Sequence, residues 1–353
     1  MKAFHQARKC GVSFFAVLLC LLAANLIGGH GAVLAKDKKS EQAAKLMRKG
    51  EFEEAEKIYR EALAKDARDL RARLGLGFSL LKQRKIQDAF DQAARATTID
   101  PTSGRAHALL GATLLAAGNF PLSLEEFRTA LTFNENDAMA VAGLAMINFY
   151  ENRSNASLSG LRRAVFLDPY EPDYVFNLAQ AAARTENYKE AADAYERFLQ
   201  VSPTTDADRR ARIRGLIDFL RYLGNQRSLY RANSPPLVAI PFEPTGGRPI
   251  IKVRLNDARE EFRFVVDTGS GMSVISDRTA ERLGVRPAAR GGMARAVGGG
   301  GRFEIVYGFL NSIDLGEASV ENVPVYVRRF YNDQESIDGY IGLSLLSKFV
   351  TAV

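Results

Sequence analysis

The chain has 353 residues, 46% hydrophobic and 25% charged, with a formal net charge of +7. This is globular composition, long enough for two or three folded units, and it excludes wholesale disorder and a polytopic membrane protein. Rare residues narrow the chemistry further: there is no tryptophan, and His5, His30, Cys10 and Cys20 all lie in the first 30 residues.

Residues 1–35 read as a cleavable signal peptide. Lys2, Arg8 and Lys9 form a positive start, Gly11 to Ile27 is uncharged and largely apolar, and Val33-Leu34-Ala35 offers small residues before Lys36. The apolar run is short for a membrane span, and Leu19 before Cys20 argues against lipid attachment. A periplasmic or secreted location is therefore expected, with a membrane anchor from an uncleaved signal as the alternative. A mature chain from Lys36 has no cysteine and only one histidine, His107. From such a chain alone, a Ser-His-Asp or Cys-His nucleophile, a cysteine zinc site and a His-rich metal site are all excluded. No metal or cofactor is expected, and stability must come from packing or assembly without disulfides. The basic residues form no run of five and no stripe with aromatics, so a nucleic-acid partner is not expected.

Beyond the signal, small residues recur every 34 positions at Ala55, Ala89, Ser123, Ser157 and Ala191. The same register carries Tyr59, Ala93, Phe127, Leu161 and Tyr195, and again Ala62, Ala96, Ala130, Ala164 and Phe198. Pro101, Pro169 and Pro203 share a loop position that Ala67 and Glu135 fill in the other units. The pattern predicts a first helix such as Arg71 to Gln83, with Gly77 at a close crossing. A short turn follows (Arg84-Lys85-Ile86, Gly118-Asn119-Phe120, Glu186-Asn187-Tyr188), then a second helix with Ala or Ser where it crosses the first. Neither helix buries its apolar stripe alone, so neighbouring units must stack. These residues resemble the tetratricopeptide repeat family, with five units over residues 36–205. Arg73, His107, Val141 and Val175 stand where that family has a large aromatic. The resemblance implies an all-α solenoid of helix-turn-helix repeats whose groove takes a peptide or protein partner, a spacer or dimerisation arm being the other use of such an array. His107 is expected to be a packed structural histidine. Residues 206–223 predict one amphipathic helix without a partner, as a capping helix would be.

Residues 224–236, ending in Ser234-Pro235-Pro236, break the helical period and read as a linker. Strand patterns follow at Leu237 to Phe242, Pro249 to Leu255 and Glu261 to Val266, the last two joined by a turn at Asn256-Asp257. More occur at Gly301 to Ile313 and Val323 to Arg328. Short strands with glycine-rich turns predict a small all-β barrel or sandwich over residues 237–353.

The chemistry lies in Phe264-Val265-Val266-Asp267-Thr268-Gly269-Ser270, followed by Ser273-Val274-Ile275-Ser276. An apolar strand that ends by pushing a carboxylate into a sharp turn is a costly use of a purely structural Asp. The hydroxyls of Thr268 and Ser270 can bond the turn and its carboxylate. Downstream stands Asp338-Gly339-Tyr340-Ile341-Gly342-Leu343, an apolar pair followed by glycine. Together these segments resemble the retropepsin-like aspartic protease family over residues 237–353. The resemblance implies that Asp267 is catalytic, that Thr268, Gly269 and Ser270 support its turn, and that Tyr340, Ile341 and Gly342 form the second motif against which that turn is crossed. In that family one carboxylate acts as general base on water while a second, protonated, donates to the scissile carbonyl. This chain has one such motif, and Asp277, Glu281, Asp314 and Asp338 stand outside it. A homodimer giving one Asp267 from each copy is therefore expected, acting on a peptide or protein substrate.

A glycine-rich stretch, Gly291-Gly292 and then Gly298, Gly299, Gly300 and Gly301, has no helix start or lysine after it, as a phosphate cradle would need. The resemblance implies that Gly298 to Gly301 form a flap over bound peptide; a plain surface loop is the other reading. After a helical turn at Leu343 to Lys348, a strand begins at Phe349 and the sequence gives it five residues. The closing strands of the family are thus expected to be shortened, or to be truncated from this sequence. The reading as a whole is an exported aspartic endopeptidase of a bacterial envelope. The alternative is a non-catalytic repeat scaffold whose protease-like domain binds peptides without cutting them.

Overall fold

A computed structural model describes residues 39–204, 207–226, 228–245, 248–295, 302–330 and 337–350. The expected signal peptide lies outside these residues. The chain divides into two compact units, Met1–Arg153 and Ser154–Val353.

The first unit is helical: α1 (39–49), α2 (Phe52–Lys65), α3 (Leu70–Lys82), α4 (Ile86–Ile99), α5 (Gly104–Ala116), α6 (Phe120–Phe133) and α7 (Ala138–Tyr150). The sequence period reappears in the backbone. Asp69, Ser103 and Asp137 cap the starts of α3, α5 and α7, each side chain accepting from an amide three residues on. This satisfies donors that a helix start leaves orphaned. Gly50, Arg84 and Gly118 have φ of +82°, +62° and +82°, one in each turn between paired helices, and Asn152 after α7 has φ of +61°. At Gly118 the turn closes with Gly118 N donating to Leu115 O and Asn119 N to Leu114 O, a Schellman stop. Tight crossings depend on glycine opposite an aromatic. A Cβ at Gly143 would lie 2.0 Å from the buried Phe127 ring, and one at Gly111 2.8 Å from it. Arg73 and His107 take the place of a large aromatic by tying down the preceding loop. The Arg73 guanidinium donates to Ala67 O, and His107 Nε2 lies 2.9 Å from Pro101 O with Nδ1 2.7 Å from Glu126 Oε2.

The second unit continues the repeat register with α8 (Ser154–Leu167), α9 (Pro172–Arg184), α10 (Tyr188–Val201) and α11 (Ala207–Leu223), and Glu186 again takes a positive φ of +60°. Nine strands follow among the described residues: β1 (Arg231–Asn233), β2 (Phe242–Thr245), β3 (Arg248–Leu255), β4 (Phe262–Val266), β5 (Ser273–Ser276), β6 (Ala289–Arg295), β7 (Arg302–Leu315), β8 (Ala318–Arg328) and β9 (Gly339–Ile341). Short helices α12 (Asp277–Arg282) and α13 (Leu343–Leu346) follow β5 and β9. Strands β8, β5, β9, β4, β3 and β7 pair in that order, and β7 pairs back to β8, so the sheet closes into a barrel. Asn256 and Asp257 have φ of +50° and +60° in a turn closed by Ala258 N donating to Leu255 O at 2.9 Å, which opens the longer connection from β3 to β4.

The expectations of an unpartnered capping helix and a following linker need correction. Helix α11 packs on β6 as well as α10. Its Phe219 ring stacks on Tyr307 of β7 at 4.2 Å, and Phe219 and Leu223 share one core with Leu229, Tyr230, Phe264 and Leu310. A Cβ at Gly215 would lie 2.0 Å from Arg290 O, and β6 bulges between Arg290 and Met293 where the helix crosses, with Gly292 at φ +68°. Arg212 Nη1 closes the crossing by donating to Met293 O at 3.1 Å. Gly291 and Gly292 thus serve helix-on-strand packing. Within residues 224–236, Arg231 to Asn233 form β1, paired with Glu321 to Ser319 of β8. The first strand after the prolines also starts later than its apolar run suggests, pairing from Phe242 opposite Ile251.

Candidate active site

Strand β4 drives into the barrel behind buried Phe264 and Val265, and β9 is inserted between β4 and β5. The β9 pairing is parallel with β4 (Val266 opposite Ile341) and antiparallel with β5 (Val274 opposite Tyr340). The ladder ends where Asp267 N donates to Ile341 O at 3.0 Å, which fixes the residue at the mouth of the turn. Each Asp267 carboxylate oxygen then accepts one donor from its own turn, Oδ1 from Gly269 N at 2.9 Å and Oδ2 from Ser270 Oγ at 2.7 Å. Bonds of this kind to an ionised acceptor are the strong ones. A Cβ at Gly269 would lie 3.2 Å from Asp267 Oδ1, a tight contact that would press on the carboxylate.

The second motif reaches the same turn. A Cβ at Gly342 would lie 2.6 Å from the Met272 carbonyl carbon, so only glycine lets the two segments touch. Gly342 N donates to Ser273 Oγ at 3.1 Å, Leu343 N to Ser270 O at 2.7 Å and Ser344 N to Gly271 O at 2.9 Å. Asp267, Gly269, Ser270, Ile341 and Leu343 are therefore linked by hydrogen bonds, Gly342 bonds Ser273 beside them, and Tyr340 stands in the ladder with its ring edge-on to Phe330 at 5.3 Å. Thr268 is different: it is exposed, and its hydroxyl makes no hydrogen bond among the described residues. Gly298, Gly299, Gly300 and Gly301 lie outside the described residues; the strands on either side pair, Ala294 opposite Phe303 and Arg295 opposite Arg302.

Sequence reasoning left Asp338 and Ser273 without a role. Asp338 Oδ2 accepts from Arg263 N at 2.9 Å and its Oδ1 accepts from Thr279 Oγ1 at 3.2 Å, which pins the entry to β9 against β4 and α12. Its place directly before Gly339 in the apolar motif was the available signal. Among the described residues no group of three or more His, Cys, Asp or Glu could hold a metal ion, and no helix is long and apolar enough to cross a membrane. Chemically, the cluster presents a half-buried carboxylate, positioned by two donors, at the end of a strand.

Residues 251–345 match the aspartyl protease family, and residues 41–104 and 143–205 match the tetratricopeptide repeat family. The chain thus carries tetratricopeptide repeats followed by a domain of aspartyl protease type. It is similar to the BBSome complex member BBS4 of Bos taurus, at 24% identity over 143 residues, covering 40% of this chain and 28% of that protein. Among solved structures it is similar to the APC/C hetero-tetramer Cut9–Hcn1, with 17% identity, 53% of this chain and 36% of that chain covered, and a TM-score of 0.44. It is also similar to TTC0263, a thermophilic tetratricopeptide protein in Thermus thermophilus, with 18% identity, 51% and 98% covered, and a TM-score of 0.43.

Proposed function

We propose that the protein is an exported aspartic endopeptidase that works as a homodimer and uses its repeats to engage a substrate or partner protein. The observation that carries this reading is the Asp267 carboxylate, held by Gly269 N and Ser270 Oγ on a turn whose backbone is bonded to Ile341 and Leu343. Two copies of Asp267 facing one another would share a single proton, because two like charges at close range cannot both ionise. The ionised carboxylate takes a proton from water, the water oxygen attacks the scissile carbonyl carbon, and the protonated carboxylate donates to the carbonyl oxygen. Collapse of the tetrahedral intermediate breaks the carbon–nitrogen bond as a proton passes to the leaving amine. Glycine and serine donors within each turn keep both carboxylates from rotating away from that water.

Partner binding by the repeats is supported by apolar side chains that the helices leave in solvent: Phe120, Leu122 and Tyr150 are exposed, with Phe120 and Tyr150 edge to face at 5.5 Å. Export rests on residues 1–35, and the expected site of action is the periplasm or the exterior. Purified mature protein, shown by ultracentrifugation to be dimeric, should cleave members of a diverse peptide library, and the Asp267→Asn protein should cleave none. A dimer that binds peptides and leaves them whole would favour a scaffold function.

A further inference from the structure

Tyr230 lies outside residues 251–345, yet its side chain reaches Ser344 of α13, the helix whose first amides bond the Asp267 turn. Its backbone has φ of +50°, a region that bulky residues rarely occupy, and its amide donates to Asn322 O at 3.0 Å just before the β1–β8 ladder. The residue is buried at 9% exposure, and its hydroxyl donates to Ser344 Oγ at 2.9 Å. Lys348 Nζ sits 5.5 Å from the ring centroid and pairs with Glu186 in the α9–α10 turn at 3.5 Å. Burial pushes the Tyr230 hydroxyl up to about 12, against the opposing bond with Ser344, so it stays neutral and can donate. A strained backbone and a buried hydroxyl each cost stability and persist where the surroundings over-determine them. What this arrangement fixes is Ser344. The amides of Leu343 and Ser344 hold the carbonyls of Ser270 and Gly271, and Ser270 Oγ holds Asp267 Oδ2.

We propose that Tyr230 is a positioning residue for the Asp267 turn: its hydroxyl fixes Ser344, and α13 then sets Ser270 and Gly271 beneath the carboxylate. The kinetic consequence rests on the peptidase reading above; the positioning does not.

The test uses the full chain and Tyr230→Phe, which keeps the ring and removes the hydroxyl. Its kcat should fall about threefold to tenfold at unchanged KM, the size expected for one hydrogen bond felt at the reacting group. Ser344→Ala should lose as much, and the double variant no more than either single one. In parallel, amide exchange at Leu343 and Ser344 should speed up several-fold in Tyr230→Phe while the barrel core at Phe264 and Leu310 stays protected. Unchanged kcat with unchanged exchange at those two amides, or a uniform rise in exchange across the barrel, would overturn the proposal. If the parent protein cuts nothing, the peptidase reading falls and exchange decides alone: faster exchange confined to Leu343 and Ser344 upholds the positioning role, and unaltered exchange ends it.

Discussion

The Ser270 hydroxyl donates to Asp267 Oδ2 at 2.7 Å from three residues along the same turn. Serine at this position therefore orients the carboxylate directly, while Thr268 between them faces solvent. Hydrogen bonds to charged groups contribute roughly 1.5–3 kcal/mol. Ser270→Ala should accordingly lower kcat by about tenfold or more, and Thr268→Ala should change it far less. Steady-state kinetics on one peptide substrate, with the unfolding midpoint of each variant alongside, separates the two.

Helix α11 is part of the barrel's core. Phe219 is 1% exposed and stacks on Tyr307, so Phe219→Ala should destabilise the second unit by about 3–5 kcal/mol, the usual range for a buried phenylalanine. Chemical denaturation followed by fluorescence of the buried tyrosines reads this. A loss under about 1 kcal/mol would mean that the strands fold without the helix.

Repeat turns depend on backbone handedness. A Cβ at Gly118 would meet nothing within 4 Å, so the cost of Gly118→Ala comes from φ of +82° alone. It should reach about 1–2 kcal/mol in the first unit. Gly143→Ala should cost more, because its Cβ would strike the Phe127 ring. Thermal unfolding of the three proteins gives the order.

Glu56 gives the first unit an acid-sensitive tie. Burial raises its carboxyl, but bonds from Arg60, Gln83 and Lys85 at 2.8 to 3.0 Å outweigh burial and hold it at about 2, below the ordinary 4.5. A depressed carboxyl stabilises the folded state above its unfolded value, and that contribution drains away as pH falls from about 4.5 towards 2. Stability of the first unit should drop across that window, and Glu56→Gln should flatten the slope there. Urea midpoints taken through the window test the sign.

The repeats are legible in the sequence because each helix crossing demands a small residue and each turn a stop, so Ala55 through Ala191 and Gly118 announce themselves one unit at a time. The Asp267 turn is legible for a similar reason, since its donors Gly269 and Ser270 are local. What long-range packing decides is not. Leu229 and Tyr230 stand in a polar stretch, and only the core formed with Phe219 and Leu310 shows that they are buried. Strand β6, Ala-Arg-Gly-Gly-Met-Ala-Arg, lacks alternation because a helix crosses it at its bulge, so its glycines read as loop.

Peptide hydrolysis by the purified mature dimer beside its Asp267→Asn counterpart decides whether Asp267 is catalytic. The parent should cut peptide bonds across part of the acid-to-neutral range and the variant none, with both proteins equally folded and equally dimeric. Cleavage that persists in pure Asp267→Asn protein would contradict a catalytic role for Asp267.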